Sequence, residues 1–124
     1  MGTRASVIFK ENSKNVAAIY RQYDGYVRGG LGDELVEIIS SGKVGNGITF
    51  PRPKLGEYFN GAGCLFATVV AKLKDEVGNV YICPVNEVGN QGEDYIYTVE
   101  VNKGKVNISV MGGDYDEETL MVSI

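Results

Sequence analysis

The sequence predicts an α+β domain: a mostly antiparallel sheet, in the order ββ-α-α-βββ, with two helices packed on one face. Three observations lead there. Two strand-like runs, TRASVIFK (3–10) and VAAIYRQY (16–23), open the chain around the polar turn stretch ENSKN. Two segments with apolar residues at helical spacing occupy the middle. Three further strand-like runs follow: NVYICPV (79–85), DYIYTVEV (94–101) and KVNISVM (105–111). Helices that each carry one apolar stripe are satisfied by packing on one face of such a sheet.

The first two runs read as a β-hairpin. In the second, Val16, Ala18, Tyr20 and Gln22 face one way, and Ala17, Ile19, Arg21 and Tyr23 the other. DGYVRGGLG (24–32) is a glycine-rich loop. In GDELVEIISSG (32–42), Asp33 favours a helix start, Leu35, Ile38 and Ile39 recur at helical spacing, and Gly42 ends the helix. Residues 43–60 contain Pro51, Pro53 and three glycines and read as a long loop. The second helix is expected over 61–78. Leu65, Val69 and Leu73 form its stripe, and Phe66, Val70 and Val77 broaden it. Gly104 marks a hairpin turn between the last two predicted strands. EVGNQGE (87–93) reads as a flexible loop. The tail DYDEETLMVSI is acidic and then apolar, which fits a last edge strand or an oligomer contact.

A chain of 124 residues with 44% hydrophobic and 23% charged residues is expected to form one ligand-binding domain over 1–124 rather than a disordered segment. No run approaches the roughly 20 apolar residues of a membrane helix. MGTRASVIFK has no apolar leader core. It formally matches a myristoylation signal but runs directly into a strand. Cys64 and Cys83 are too few for a disulfide framework and are expected to be reduced and buried.

The net charge of −4 is unevenly placed. Residues 1–54 hold eight Lys/Arg against five Asp/Glu, and residues 55–124 hold four against eleven. All four arginines lie in the first part. An acidic total argues against broad duplex binding, which needs a basic footprint, but does not exclude one small phosphorylated ligand.

The chain has no histidine. That removes the usual general base, the Ser-His and Cys-His dyads and the commonest zinc ligand. Adjacent carboxylates such as Asp33/Glu34 and Asp75/Glu76 read as solvated surface. Acidic residues 114–118 lack calcium-loop spacing. Gly29, Gly30 and Gly32 precede a helix without the Lys-Ser/Thr pair of a phosphate loop. The amides at the start of the second helix, at Gly61 and Gly63, offer an anion site, although turns and close packing explain these glycines as well. No catalytic residue, metal or cofactor is therefore assigned.

The most informative stretch is IYRQYDGYVRGG. It packs Arg21, Tyr23, Asp24, Tyr26 and Arg28 into eight residues. Arginine binds phosphate bidentately, tyrosine offers a stacking face and a hydroxyl, and Asp24 can accept from a ribose or pair with an arginine. Tyr58, Tyr81, Tyr95 and Tyr97 add further faces. The bland reading is a strand end whose Tyr and Arg cover the core and an interface.

MGTRA, YRQYDGY, NGAGCL with its AKLK helix, VYICP and EDYIYTVEV occur in this order over about four-fifths of the chain. Together they resemble a phage-encoded family of sponges, the Thoeris anti-defence protein one family. The resemblance implies a non-enzymatic protein in the cytoplasm of an infected bacterial host. Such a protein binds a cyclic ADP-ribose isomer made by TIR-domain proteins and releases it intact. It also implies a homo-oligomer with the ligand at subunit interfaces; some relatives also bind cyclic oligonucleotides. By region, it places ligand contacts at Arg28, Tyr81, Asn90 and Gln91. Two other readings stand beside it: a protein that binds a host protein, and a carboxylate- and metal-dependent hydrolase of cyclic nucleotides.

Overall fold

The computed structural model describes residues 2–47, 51–113 and 115–123, without the side chains of 116–118, 120 and 123. A six-stranded sheet in the order β5-β2-β1-β6-β7-β8 carries two helices on one face. Its strands are β1 (Ala5–Glu11), β2 (Lys14–Arg21), β5 (Val80–Cys83), β6 (Tyr95–Asn102), β7 (Lys105–Gly112) and β8 (Tyr115–Ser123). All pairs are antiparallel except β1 with β6, which run parallel at the centre. The expected α+β class and element order are therefore present, and the tail forms the β8 edge strand.

Period-two alternation builds the covered face. Register aligns Val7 with Ile19 and Tyr97, and Phe9 with Ala17 and Val99. Val99 in turn lies opposite Ile108, and Tyr97 opposite Val110. All but Ala17 are fully buried or nearly so. Helix α1 (Leu31–Ser40) adds Leu31, Leu35 and Ile39, four residues apart, and α2 (Gly61–Leu73) adds Leu65, Val69 and Leu73. Phe9 meets Phe66 edge-to-face at 5.0 Å between ring centroids.

Three boundaries differ from the sequence reading. The second helix stops at Leu73 rather than at residue 78, because Lys74 turns to extended backbone and Val77 is 98% exposed. A short parallel pair, β3 (Lys43–Gly45) with β4 (Tyr58–Asn60), lies within the expected loop 43–60. A 3-10 turn (Val85–Glu87) starts the segment that leads into loop 87–93. The cysteines also depart from expectation: both thiols are free, but Cys64 is exposed and Cys83 only half-buried. Cys64 lies on the outer flank of α2, one position before the Leu65 stripe that faces the sheet.

Candidate functional site

The glycine-rich loop after β2 is a built element that runs along the ends of the strands. The Gly25 amide donates to the Thr3 carbonyl at 2.9 Å, and the buried Tyr97 hydroxyl donates to the Gly25 carbonyl at 2.7 Å. Leu31 and Gly32 amides donate back to the carbonyls of Asp24 and Tyr26. A Cβ at Gly30 would stand 2.5 Å from the Asp24 carbonyl oxygen, so this glycine is required by close packing. Asp24 takes a left-handed backbone, φ 57°.

This loop carries Arg28 to the opposite edge of the sheet. The arginine is exposed and lines a cavity of about 300 Å³ between α1 and β8, with Val27, Asp33, Val36, Tyr115 and Met121. Asp33 there accepts from the Gly29 amide at 2.7 Å, so a carboxylate of the first turn of α1 fills the amide a phosphate would use. The α2 N-terminus is filled likewise: the Ala62 amide donates to Glu11 Oε1 at 2.6 Å. Neither glycine cluster is an open anion cradle.

Tyr81 stands on the far edge strand, β5, on the face opposite the helices. It is 50% exposed and lies opposite Tyr20 in the register, with ring centroids 6.2 Å apart. The Lys74 ammonium sits 5.7 Å from its ring centroid while donating to the Val80 carbonyl. Two residues along β5, Cys83 Sγ is 3.7 Å from the Gln91 side-chain nitrogen, which also reaches Ser6 Oγ at 3.3 Å. Tyr20, Tyr81, Cys83 and Gln91 thus share one patch. Asn90 is exposed beside it.

Glu93 holds this loop in place. It accepts from the Ser6 hydroxyl at 2.6 Å and from the amides of Gly89 at 2.7 Å and Gln91 at 2.8 Å. The loop read as flexible is therefore tied to β1. Burial pushes the Glu93 carboxyl up, but these donors outweigh it and hold it below the usual carboxylate range.

The other predicted residues do not join either group. Arg21 is 6% exposed on the helix side, donating to the Tyr23 carbonyl and to Glu34 Oε1 at 2.9 Å. Its Nη1 is buried without a partner. The Tyr23 hydroxyl donates to Glu76. Tyr26 is exposed on the loop. Because Glu34 is 41% exposed, water can solvate it when the arginine is gone. Arg21→Met is therefore expected to change stability by less than about 1 kcal/mol, which thermal unfolding would register.

Sequence reasoning missed Tyr115 and Met121 beside Arg28. Met121 lies in the apolar half of the tail, read as an edge or a contact surface, whereas Tyr115 lies in its acidic half and gave no such signal. It also missed Arg4, whose guanidinium lies against Gly92, where a Cβ would be 2.8 Å from Nη1. Arg4 is tied to the same loop by Asp94, whose amide donates to the Arg4 carbonyl at 2.8 Å and whose carboxylate Oδ2 accepts from the Arg4 amide at 3.0 Å. Among the described residues no group of three or more His, Cys, Asp or Glu is placed to hold a metal, and no helix is long and apolar enough to cross a membrane. Comparison with protein-family models, curated proteins and solved structures returns no match.

The two thiols should differ in reactivity. Burial pushes the Cys83 thiol up, the Gln91 side chain lowers it, and the Glu93 and Glu87 carboxylates raise it further, for a net rise. Less thiolate at a given pH means slower alkylation. Mass spectrometry of iodoacetamide-treated native protein should find Cys64 modified well before Cys83.

Proposed function

We propose that the protein binds a cyclic ADP-ribose-type signalling nucleotide and holds it without degrading it. It would thereby act as a phage anti-defence sponge in the host cytoplasm and block Thoeris immunity. The observation that carries this reading is the placement of Arg28: an exposed guanidinium in a cavity lined by an aromatic ring, apolar side chains, Thr119 and Asp33, whose carboxylate already accepts from the Gly29 amide. A diphosphate needs fixed donors and an adenine needs a flat face. A sequence without histidine supports binding over acid–base turnover. The residue order shared with the sponge family points the same way.

Arg28 and Tyr81 lie on opposite edges of the six-stranded sheet. Five strand spacings separate those edges, roughly 24 Å. One cyclic ADP-ribose isomer cannot touch both within a chain, so the site pairs Arg28 of one copy with Tyr81 of another. The protein is on this reading at least a dimer, with its ligand at the subunit interface.

Incubating the protein with extract of an activated TIR enzyme, washing, and heating tests the reading. Mass spectrometry should show the intact cyclic nucleotide released. A new product would indicate a hydrolase, and an empty protein would favour the protein-binding alternative. One observation favours that second reading: edge strand β5 exposes Ile82 by 72% beside Tyr81, a surface suited to strand addition by a partner chain.

A further inference from the structure

A second cavity lies far from Arg28 and from the Tyr81 patch. Residues 52–58 arch over the outer flank of α2, and the Ser41 hydroxyl, 3.0 Å from the Gly56 carbonyl oxygen, fixes the arch to the end of α1. The open cleft beneath it holds about 300 Å³, at the lower end of small-molecule sites. Among the described residues its charged groups are of one sign. Arg52 and Lys54 line it, and among the described residues neither is in an ion pair. Asn60 is held by its oxygen, which accepts from the Gly47 amide at 2.8 Å, leaving its NH2 as a donor. Among the described residues no carboxylate lines the space; nearby Glu57 is engaged by the Lys54 backbone amide at 2.8 Å.

The remaining walls are mostly apolar, with the Thr68 hydroxyl donating to the Cys64 carbonyl at 2.9 Å. Leu55 is 65% exposed, and the Tyr58 ring is pinned by its hydroxyl donating to the Gly47 carbonyl at 2.7 Å. Cys64 forms part of the floor. Cationic donors without a facing carboxylate among the described residues call for an anion, and mostly apolar walls call for a hydrophobic body. The acidic charge of the whole chain makes an unpaired cation pair beside exposed leucine more notable.

We propose that this cavity is a separate binding site for a small organic anion with an aromatic or aliphatic body, such as an aryl carboxylate or sulfonate. Its head group meets Arg52, Lys54 and the Asn60 amide, and its body lies against Leu55 and Tyr58, over Cys64.

Anilinonaphthalene sulfonate is the probe. Its fluorescence should rise saturably with the folded wild-type protein. The double variant Arg52→Ala/Lys54→Ala should bind it about tenfold more weakly, while the uncharged phenylnaphthylamine binds both proteins alike. The saturating sulfonate should slow iodoacetamide alkylation of Cys64 about tenfold, the same occupancy arithmetic read at the thiol, and leave Cys83 unaffected. Cyclic ADP-ribose should not compete. Non-saturable binding, equal affinity in the double variant, or unprotected Cys64 at saturation would each overturn the proposal.

Discussion

Gly32→Ala should lower stability by about 2–3 kcal/mol, although helix propensity alone would favour alanine at that position by up to about 1 kcal/mol. Gly32 is in the first turn of α1. An added Cβ would press on the Val27 carbonyl oxygen and come within 2.7 Å of Val27 Cα. Those atoms are backbone, and the same stretch is bonded at Gly25, Leu31 and Gly32, so neither side can yield cheaply. A melting temperature roughly 10 °C below wild type is the expected reading. Gly63→Ala is the matched comparison: it lies in α2, is exposed, and a Cβ would meet nothing within 4 Å. That variant should gain about 0.5–1 kcal/mol. If the two alanines behave alike, the close packing of the arginine loop is not what fixes it.

Arg28→Ala and Tyr81→Ala should each weaken nucleotide binding at least about tenfold, close to 1.4 kcal/mol. Each side chain is exposed and away from the core, so neither should move the melting temperature of the ligand-free protein by more than a degree or two. The arginine variant should also lose most of its salt dependence, because its contribution is charge on charge. Mixing separates a site within one chain from one shared between copies. In a dimer of one variant with the other, one site regains both residues and the second lacks both. Random reassortment should therefore restore about a quarter of the wild-type sites, countable by calorimetry after mild denaturation and refolding of the mixed chains. A mixture as inactive as its components would rule out a site shared between copies.

The sequence announced the fold more clearly than the site, for physical reasons. Long alternating runs such as 94–101 and the four-residue recurrence Leu31, Leu35, Ile39 reflect burial on one side, and burial is what composition patterns encode. Three-residue strands such as Lys43–Gly45 have no room for a pattern, and Val77 fits a helical stripe that the chain has already left. Arg21 and Arg28 look alike in IYRQYDGYVRGG. Only the pairing of Ala5 with Arg21 and the approach of Glu34 show that one guanidinium is inside and the other out. The cysteines mislead in the same way, since residue type does not reveal that Cys64 sits one step off the buried stripe. Tyr115 joins Arg28 only through a long-range crossing of the loop, which no local spacing records.

The parallel pairing of β1 with β6 has a bearing on how the chain comes to its fold. Ala5 meets Tyr95 and Glu11 meets Val101, ninety residues apart, at the middle of the sheet. During synthesis the β1–β2 hairpin emerges long before β6, with its central edge unpaired and Val7, Phe9 and Ile19 without a cover. Closing so long a loop costs chain entropy before any contact rewards it. The N-terminal third is thus committed to waiting for the last third, and a nascent chain halted before residue 95 presents an open apolar strand edge to whatever is nearby.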